Sequence, residues 1–336
     1  MYSPLLASLL LMASCLSLAG QAQVYRLTDL NTEQIRALNP AKTVVVIPGG
    51  ILEEHGPYLP SYSDGFFAQA YSRELANAIV SRPGWTVLMF PEIPLGVGGA
   101  NSIGSKDIFP GTYNVRMSVL RAVYMDLASV LGEQGFRWVF VVFMHDGPDN
   151  HLALEQASDY FHDVYGGNLV HLWDLKPIHD CCDIARRRLT PEQLKENGFT
   201  VHGGVGEHSE ILFLRPDLVP PTIHNAPSVT ARDFDDLVQV AHQDSWPGYW
   251  GAPRYASAAL GAASFRDISD KMKQLALQIL DGLDWRKIPR FSDEQIAQIH
   301  SAGGVPGSDF DRKREQREAE WLKQGTCIEA DIDELC

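Results

Sequence analysis

Four continuous runs of β-branched and aromatic residues punctuate the chain: "TVVVIP" (43–48), "WTVLMF" (85–90), "RWVFVVF" (137–143) and "NLVHLW" (168–173). None alternates with polar residues, which is the pattern of strands buried on both faces of a parallel sheet. Between them the apolar positions take a helical period, in "GFFAQAYSRELANAIV" (65–80), "NVRMSVLRAVYMDLASVLGEQG" (114–135) and "NHLALEQASDYFHDVYG" (150–166). Strand and helix alternating in this way predict an α/β layered fold with right-handed crossovers. Further helices are expected over 207–218 and 267–283, with a Gly/aromatic loop "SWPGYWGAPRY" (245–255) between them. Beyond "IPRF" the chain turns to "DFDRKREQREAEWLKQ", which reads as a solvated charged helix. The reading is one domain, 24–290, and a C-terminal extension, 291–336.

The first 22 residues carry no charge, and their apolar stretch from Leu5 to Ala19 is shorter than the roughly 20 residues needed to span a bilayer. Small residues follow it, so 1–22 is expected to be a signal peptide and the protein exported, periplasmic or secreted. Lipid anchoring at Cys15 is the alternative. Four cysteines remain, Cys181, Cys182, Cys327 and Cys336, an even number that suggests two disulfides with three pairings open. With 336 residues, 45% of them hydrophobic, the chain can bury a sizeable core. Its formal charge of −14 repels phosphate backbones, which argues against nucleic acid as a partner.

Chemistry concentrates where two of the strands end. "GGILEEHGPYLPSYSD" (49–64) follows the first strand and "MHDGPDNH" (144–151) the third. Ligands in open α/β sheets bind outside the carboxyl ends of the strands. Glu53 and His55 are two residues apart, so extended backbone turns both to one side, and Pro57 and Pro60 keep the segment from becoming helix. Asp64 stands at the mouth of the next helix, where capping it is the alternative role. Carboxylates and imidazoles without thiolate suit zinc or manganese.

These segments resemble the creatininase (creatinine amidohydrolase) family. "PGGILEEHGPYLPSYSD" is similar to its "GSxEQHGPHLPxxTD" signature, and the likeness continues in order through "FPGT" (109–112), "GFRWVFVVFMHDGPDN" (135–150), "HGGVGEHS" (202–209) and "GAPRYASAALG" (251–261). The resemblance implies a three-layer α/β/α domain with a mainly parallel central sheet. It also implies a homo-oligomer, often a hexamer, and two divalent ions per chain, zinc and/or manganese. By motif position the implied ligands are Glu53, His55, Asp64 as the bridge, His145 and Asp149, with Asp146 as the fallback for the fifth. His202 and Glu207 fall on the positions expected to act on substrate. Three departures lie near where substrate should sit: Phe143-Met144 before the His, "NSIGSKDI" without the family's Glu-His, and His208 in place of Thr.

The implied reaction is attack of a metal-bridged hydroxide on the amide carbonyl of a small cyclic substrate, with His202 protonating the leaving nitrogen. The loop carrying Trp246, Tyr249 and Trp250 would wall off a planar substrate. A second class keeps the metal and drops the turnover, giving an exported metal- or ligand-binding protein. A Ser hydrolase lacks support, since "GANSIG" (99–104) does not match the G-x-S-x-G elbow.

Overall fold

The computed structural model describes residues 23–181, 187–293 and 309–323. The leader (1–22) and Cys182, Cys327 and Cys336, on which the export and disulfide expectations rest, lie outside the described residues. Five parallel strands form one sheet in the order β1-β3-β2-β4-β5: β1 (Val24–Arg26), β2 (Thr43–Gly49), β3 (Thr86–Met89), β4 (Trp138–Phe143) and β5 (Asn168–His171). The four longer strands match the four apolar runs. Strand β1 was not foreseen; three residues at a sheet edge, paired to β3, are too short to show a period.

Alternate residues of the buried strands feed opposite layers. Val44, Val46, Phe140 and Val142 belong to one core cluster, and Val45, Ile47, Val141 and Phe143 to the other. Each such side chain contributes about 1.5–3 kcal/mol on burial. The first layer is covered by α2 (Ser63–Val80), α7 (Val205–Leu214) and α9 (Ala258–Leu280), and the second by α3 (Met117–Glu133) and α4 (Pro148–Tyr165). This is the three-layer α/β/α arrangement. Helix α1 (Thr32–Arg36), α5 (Lys176–His179), α6 (Pro191–Asn197) and α8 (Phe234–His242) fill the connections.

Helix α9 begins at Ala258, well before the expected Asp267, because Ser257 caps it by accepting from the Leu260 N–H. It then crosses α7 so closely that a Cβ on Gly261 would stand 1.8 Å from the Ser209 carbonyl oxygen. Helix α8 was missed: its first turn carries Asp235 and Asp236, and only Leu237 and Ala241 are buried. The charged helix α10 (Asp309–Lys323) is not freely solvated. Arg116 pairs with Glu318 at 2.6 Å and Arg314 donates to the Asn114 carbonyl, docking α10 on the loop before α3. No helix among the described residues is long and apolar enough to cross a membrane.

Strands β2 and β4 are neighbours, and the chain leaves β2 toward β3 on one side and β4 toward β5 on the other. The crevice outside the C-terminal ends of β2 and β4 is therefore the topological switch point, where such sheets bind ligands.

Candidate metal centre

Two loops leave β2 and β4 into that crevice. After β2, the chain runs straight to the start of α2. Gly50 makes this close return passable, since a Cβ there would meet the Gly65 nitrogen at 2.6 Å. Asp64 falls at the second residue of α2 and is buried; Tyr62 precedes the helix without a side-chain cap, so Asp64 does not cap it. Glu53, His55, Asp64, His145 and His202 are all buried.

Their donor atoms interlock. Asp64 turns Oδ1 to His55 Nε2 (3.4 Å) and Oδ2 to His145 Nδ1 (3.4 Å). Glu53 turns Oε2 to His145 Nδ1 (3.1 Å) and Oε1 to His202 Nδ1 (3.7 Å). Two overlapping sets thus have ligand atoms within 4.8 Å of one another, Glu53–Asp64–His145 and Glu53–His55–His202.

Each imidazole gives its other nitrogen to a main-chain carbonyl: His55 Nδ1 to Glu53 O (3.0 Å), His145 Nε2 to Val97 O (3.0 Å), and His202 Nε2 to Glu54 O (2.5 Å). A carbonyl only accepts, so these nitrogens carry the protons and the opposite ones face the carboxylates as lone pairs when the ring is neutral. Outer N–H groups anchored on backbone in this way are the usual support of metal-binding histidines. His55 Nε2 and Asp64 Oδ2 are buried without a hydrogen-bond partner, as is Glu54 Oε1. A divalent cation held by these two sets would satisfy the His55 and Asp64 atoms, and the donor set of nitrogen and oxygen fits zinc or manganese.

The electrostatics show how much positive charge the site asks for. Burial opposes ionisation of Glu53, yet the charge and hydrogen bond of His145, with the charge of His55, outweigh it and hold the carboxyl well below its usual range. Burial likewise disfavours a charged His55, but the Asp64 carboxylate facing its Nε2 pushes it up to about 10. His145 is raised as well, against its burial, by Glu53 and Asp64. His202 behaves differently: burial brings it down to about 4, so it is neutral. Burial lifts Glu207 to about 7, and the Gly203 N–H donates to it at the N-terminus of α7.

Glu54 is buried as well. Its Oε2 accepts from the Thr112 hydroxyl of "FPGT" (2.7 Å), and burial together with the Glu53 charge pushes it up to about 8. Nothing in the spacing marked this inward turn. His202, assigned to substrate, also stands among the possible ligands. Asp149 belongs to neither set; it lies in the first turn of α4, where its charge acts on Asp311. Asp146 is engaged elsewhere, accepting from Trp173 Nε1 (2.7 Å). Trp246, Tyr249 and Trp250, expected to wall off a substrate, are all buried; the Trp246 ring lies 4.7 Å from that of Trp250, and Tyr249 packs against Gly56 and Gly203, beside His55 and His202.

The family model described as "Creatininase: Creatinine amidohydrolase" matches residues 28–276. The creatinine amidohydrolase of Pseudomonas putida is 25% identical over 226 residues, 65% of this chain and 82% of that protein. The mycofactocin precursor peptide peptidase of Mycobacterium ulcerans (strain Agy99) is 30% identical over 120 residues, 34% of this chain and 45% of that one. Among solved structures, one titled "Creatininase Mn" superposes with a TM-score of 0.56 at 21% identity, covering 75% of this chain and 97% of its own. With the family model spanning most of its length, this chain belongs to the creatininase family.

Proposed function

We propose that the protein is an exported amidohydrolase with two divalent ions, zinc and/or manganese, that hydrolyses a C–N bond of a cyclic amide or related small substrate. The observation that supports this most directly is Asp64, a buried carboxylate presenting one oxygen to His55 and the other to His145, as a bridge between two cations requires. Bound there, the ions supply Lewis-acid polarisation and a water acidified toward neutral pH. Glu53, His55, Asp64 and His145 hold them. Glu207, like Asp149, is in neither set of clustered ligand atoms; it faces the charges of His55, Asp64 and Glu53 and would orient a ligand imidazole or complete the set. His202 is neutral with its Nδ1 open, so it takes the proton released on attack and returns it to the leaving nitrogen.

The similarity to both a creatinine amidohydrolase and a peptide peptidase supports amide cleavage and leaves the substrate class broad. Export rests on the uncharged leader and the even cysteine count behind it. Exposed Ile108 and Tyr113, on either side of "FPGT", favour a homo-oligomer, a hexamer on the family pattern. The placement of Asp149 away from the cluster favours a second reading, a one-ion binding protein without turnover. Asp64→Asn separates them: metal analysis shows two fewer equivalents per chain and hydrolysis of cyclic amides falls to background, with the fold intact. Unchanged metal content refutes the bridge, and loss of a single equivalent supports the binder.

A further inference from the structure

A second buried cluster lies on the far side of β4, at the end of β5. His151 on the second turn of α4, His171 at the last residue of β5 and Asp174 just beyond it have ligand atoms within 4.8 Å of one another, and all three are buried. We propose that these residues form a separate site for one transition-metal cation, zinc by its donor set. The set of two imidazoles and one carboxylate is a zinc-binding combination.

Each member is held as a ligand would be. His171 Nε2 lies 3.0 Å from the Phe143 carbonyl, to which it donates, so its Nδ1 is an acceptor, and this atom is buried with no partner. His151 presents Nδ1 to Asp174 Oδ1 at 3.1 Å, while Asp146 Oδ1 stands 3.5 Å behind its Nε2. Neither nitrogen of that ring has a hydrogen bond of sound geometry. Asp174 is fixed by Ser292, whose N–H donates to Oδ1 (3.0 Å) and whose hydroxyl donates to Oδ2 (2.7 Å). Carboxylates and carbonyls behind imidazoles set ring tautomer and orientation in metal sites.

The rival account is an ion pair, with a protonated His151 between Asp146 and Asp174. It explains the His151 ring. It leaves His171 Nδ1, a buried acceptor, without a hydrogen-bond donor. A cation satisfies both rings with one group.

The test uses the full chain, stripped with a chelator and re-equilibrated with Zn2+, and reads zinc per chain. His171→Phe and Asp174→Asn are made in the natural sequence and in a Glu53→Gln/Asp64→Asn background that disables the first centre. Each is expected to remove one equivalent in both backgrounds and to abolish one part of the zinc-induced rise in Tm. Unchanged zinc content in a folded His171→Phe protein overturns the site and leaves the ion pair. Should His171→Phe not fold, Asp174→Asn decides in the same way, since its amide oxygen still accepts from Ser292. Failure of the hydrolase reading is distinct: the Glu53→Gln/Asp64→Asn background would then lose no zinc.

Discussion

The two clusters hang from neighbouring strand ends and bury the same residue types, but they leave different atoms unsatisfied. In the crevice between β2 and β4, the orphans include carboxylate oxygens, Glu54 Oε1 and Asp64 Oδ2, beside His55 Nε2. At the end of β5 both oxygens of Asp174 are taken by Ser292, and the orphans are imidazole nitrogens of His151 and His171. The first cluster therefore asks for charge, the second for a Lewis acid. A third buried carboxyl, Glu210 on α7, shows another solution. It has only the Tyr71 and Ser264 hydroxyls for company, at 2.7 and 2.5 Å, and burial pushes it up to about 7. A proton does there what a cation would do at the other two.

The largest effect on this contrast is expected from His202→Asn. If His202 moves protons and the carboxylates hold the ions, kcat for a cyclic amide falls by roughly 10²- to 10⁴-fold, while metal content and KM stay near their natural values. Loss of a metal equivalent along with kcat would instead make His202 a ligand, as its placement 3.7 Å from Glu53 permits.

Glu210 supplies the next test, in stability. Unfolded, its carboxyl titrates near 4.5; folded, near 7. Between those values the folded chain keeps a proton that the unfolded chain has released. Its contribution is thus complete below about pH 4.5 and is lost as pH rises toward 7, at about 1.4 kcal/mol per pH unit. Glu210→Gln keeps the shape and removes the titration. The urea midpoint of the variant should therefore decline less between pH 5 and 7 than that of the natural protein. Parallel curves would show that the carboxyl is ionised in the fold.

How far the sequence could be read follows the same physics. The buried strands were legible because a residue enclosed on both faces must be apolar, whichever way it points; Val44 and Val45 serve opposite layers without any change in pattern. Glu53, His55, Asp64 and His145 were legible because strand ends converge and because a family signature aligned them. Glu54 was not, since the inward turn of its side chain depends on Thr112, which lies 58 residues away. Asp149 was reached only through an inserted pair of residues in the motif; the chain places it in the first turn of α4 and in neither set of clustered ligand atoms. The His151–His171–Asp174 cluster was not legible because its members come from separate segments, His151 closing "MHDGPDNH" and His171 and Asp174 lying around the end of β5, and Ser292, which orients Asp174, arrives from 118 residues further on.

That long-range contact gives the smallest and most discriminating test. Ser292 supplies two of the hydrogen bonds that fix Asp174, one from its N–H and one from its hydroxyl, whose oxygen also lies 3.0 Å from Glu155 Oε1. Ser292→Ala keeps the backbone N–H to Oδ1 and removes the hydroxyl from Oδ2, leaving a buried carboxylate oxygen short of a donor. Stability should fall by about 1–2 kcal/mol, read from the urea midpoint. If Asp174 binds a cation, zinc affinity at the second site should fall by roughly 10- to 100-fold, with hydrolysis at the first unchanged. If Asp174 only pairs with a charged His151, the stability loss should appear with no change in any zinc isotherm. One hydroxyl, remote from the reacting groups, thus separates a metal ligand from a salt-bridge partner.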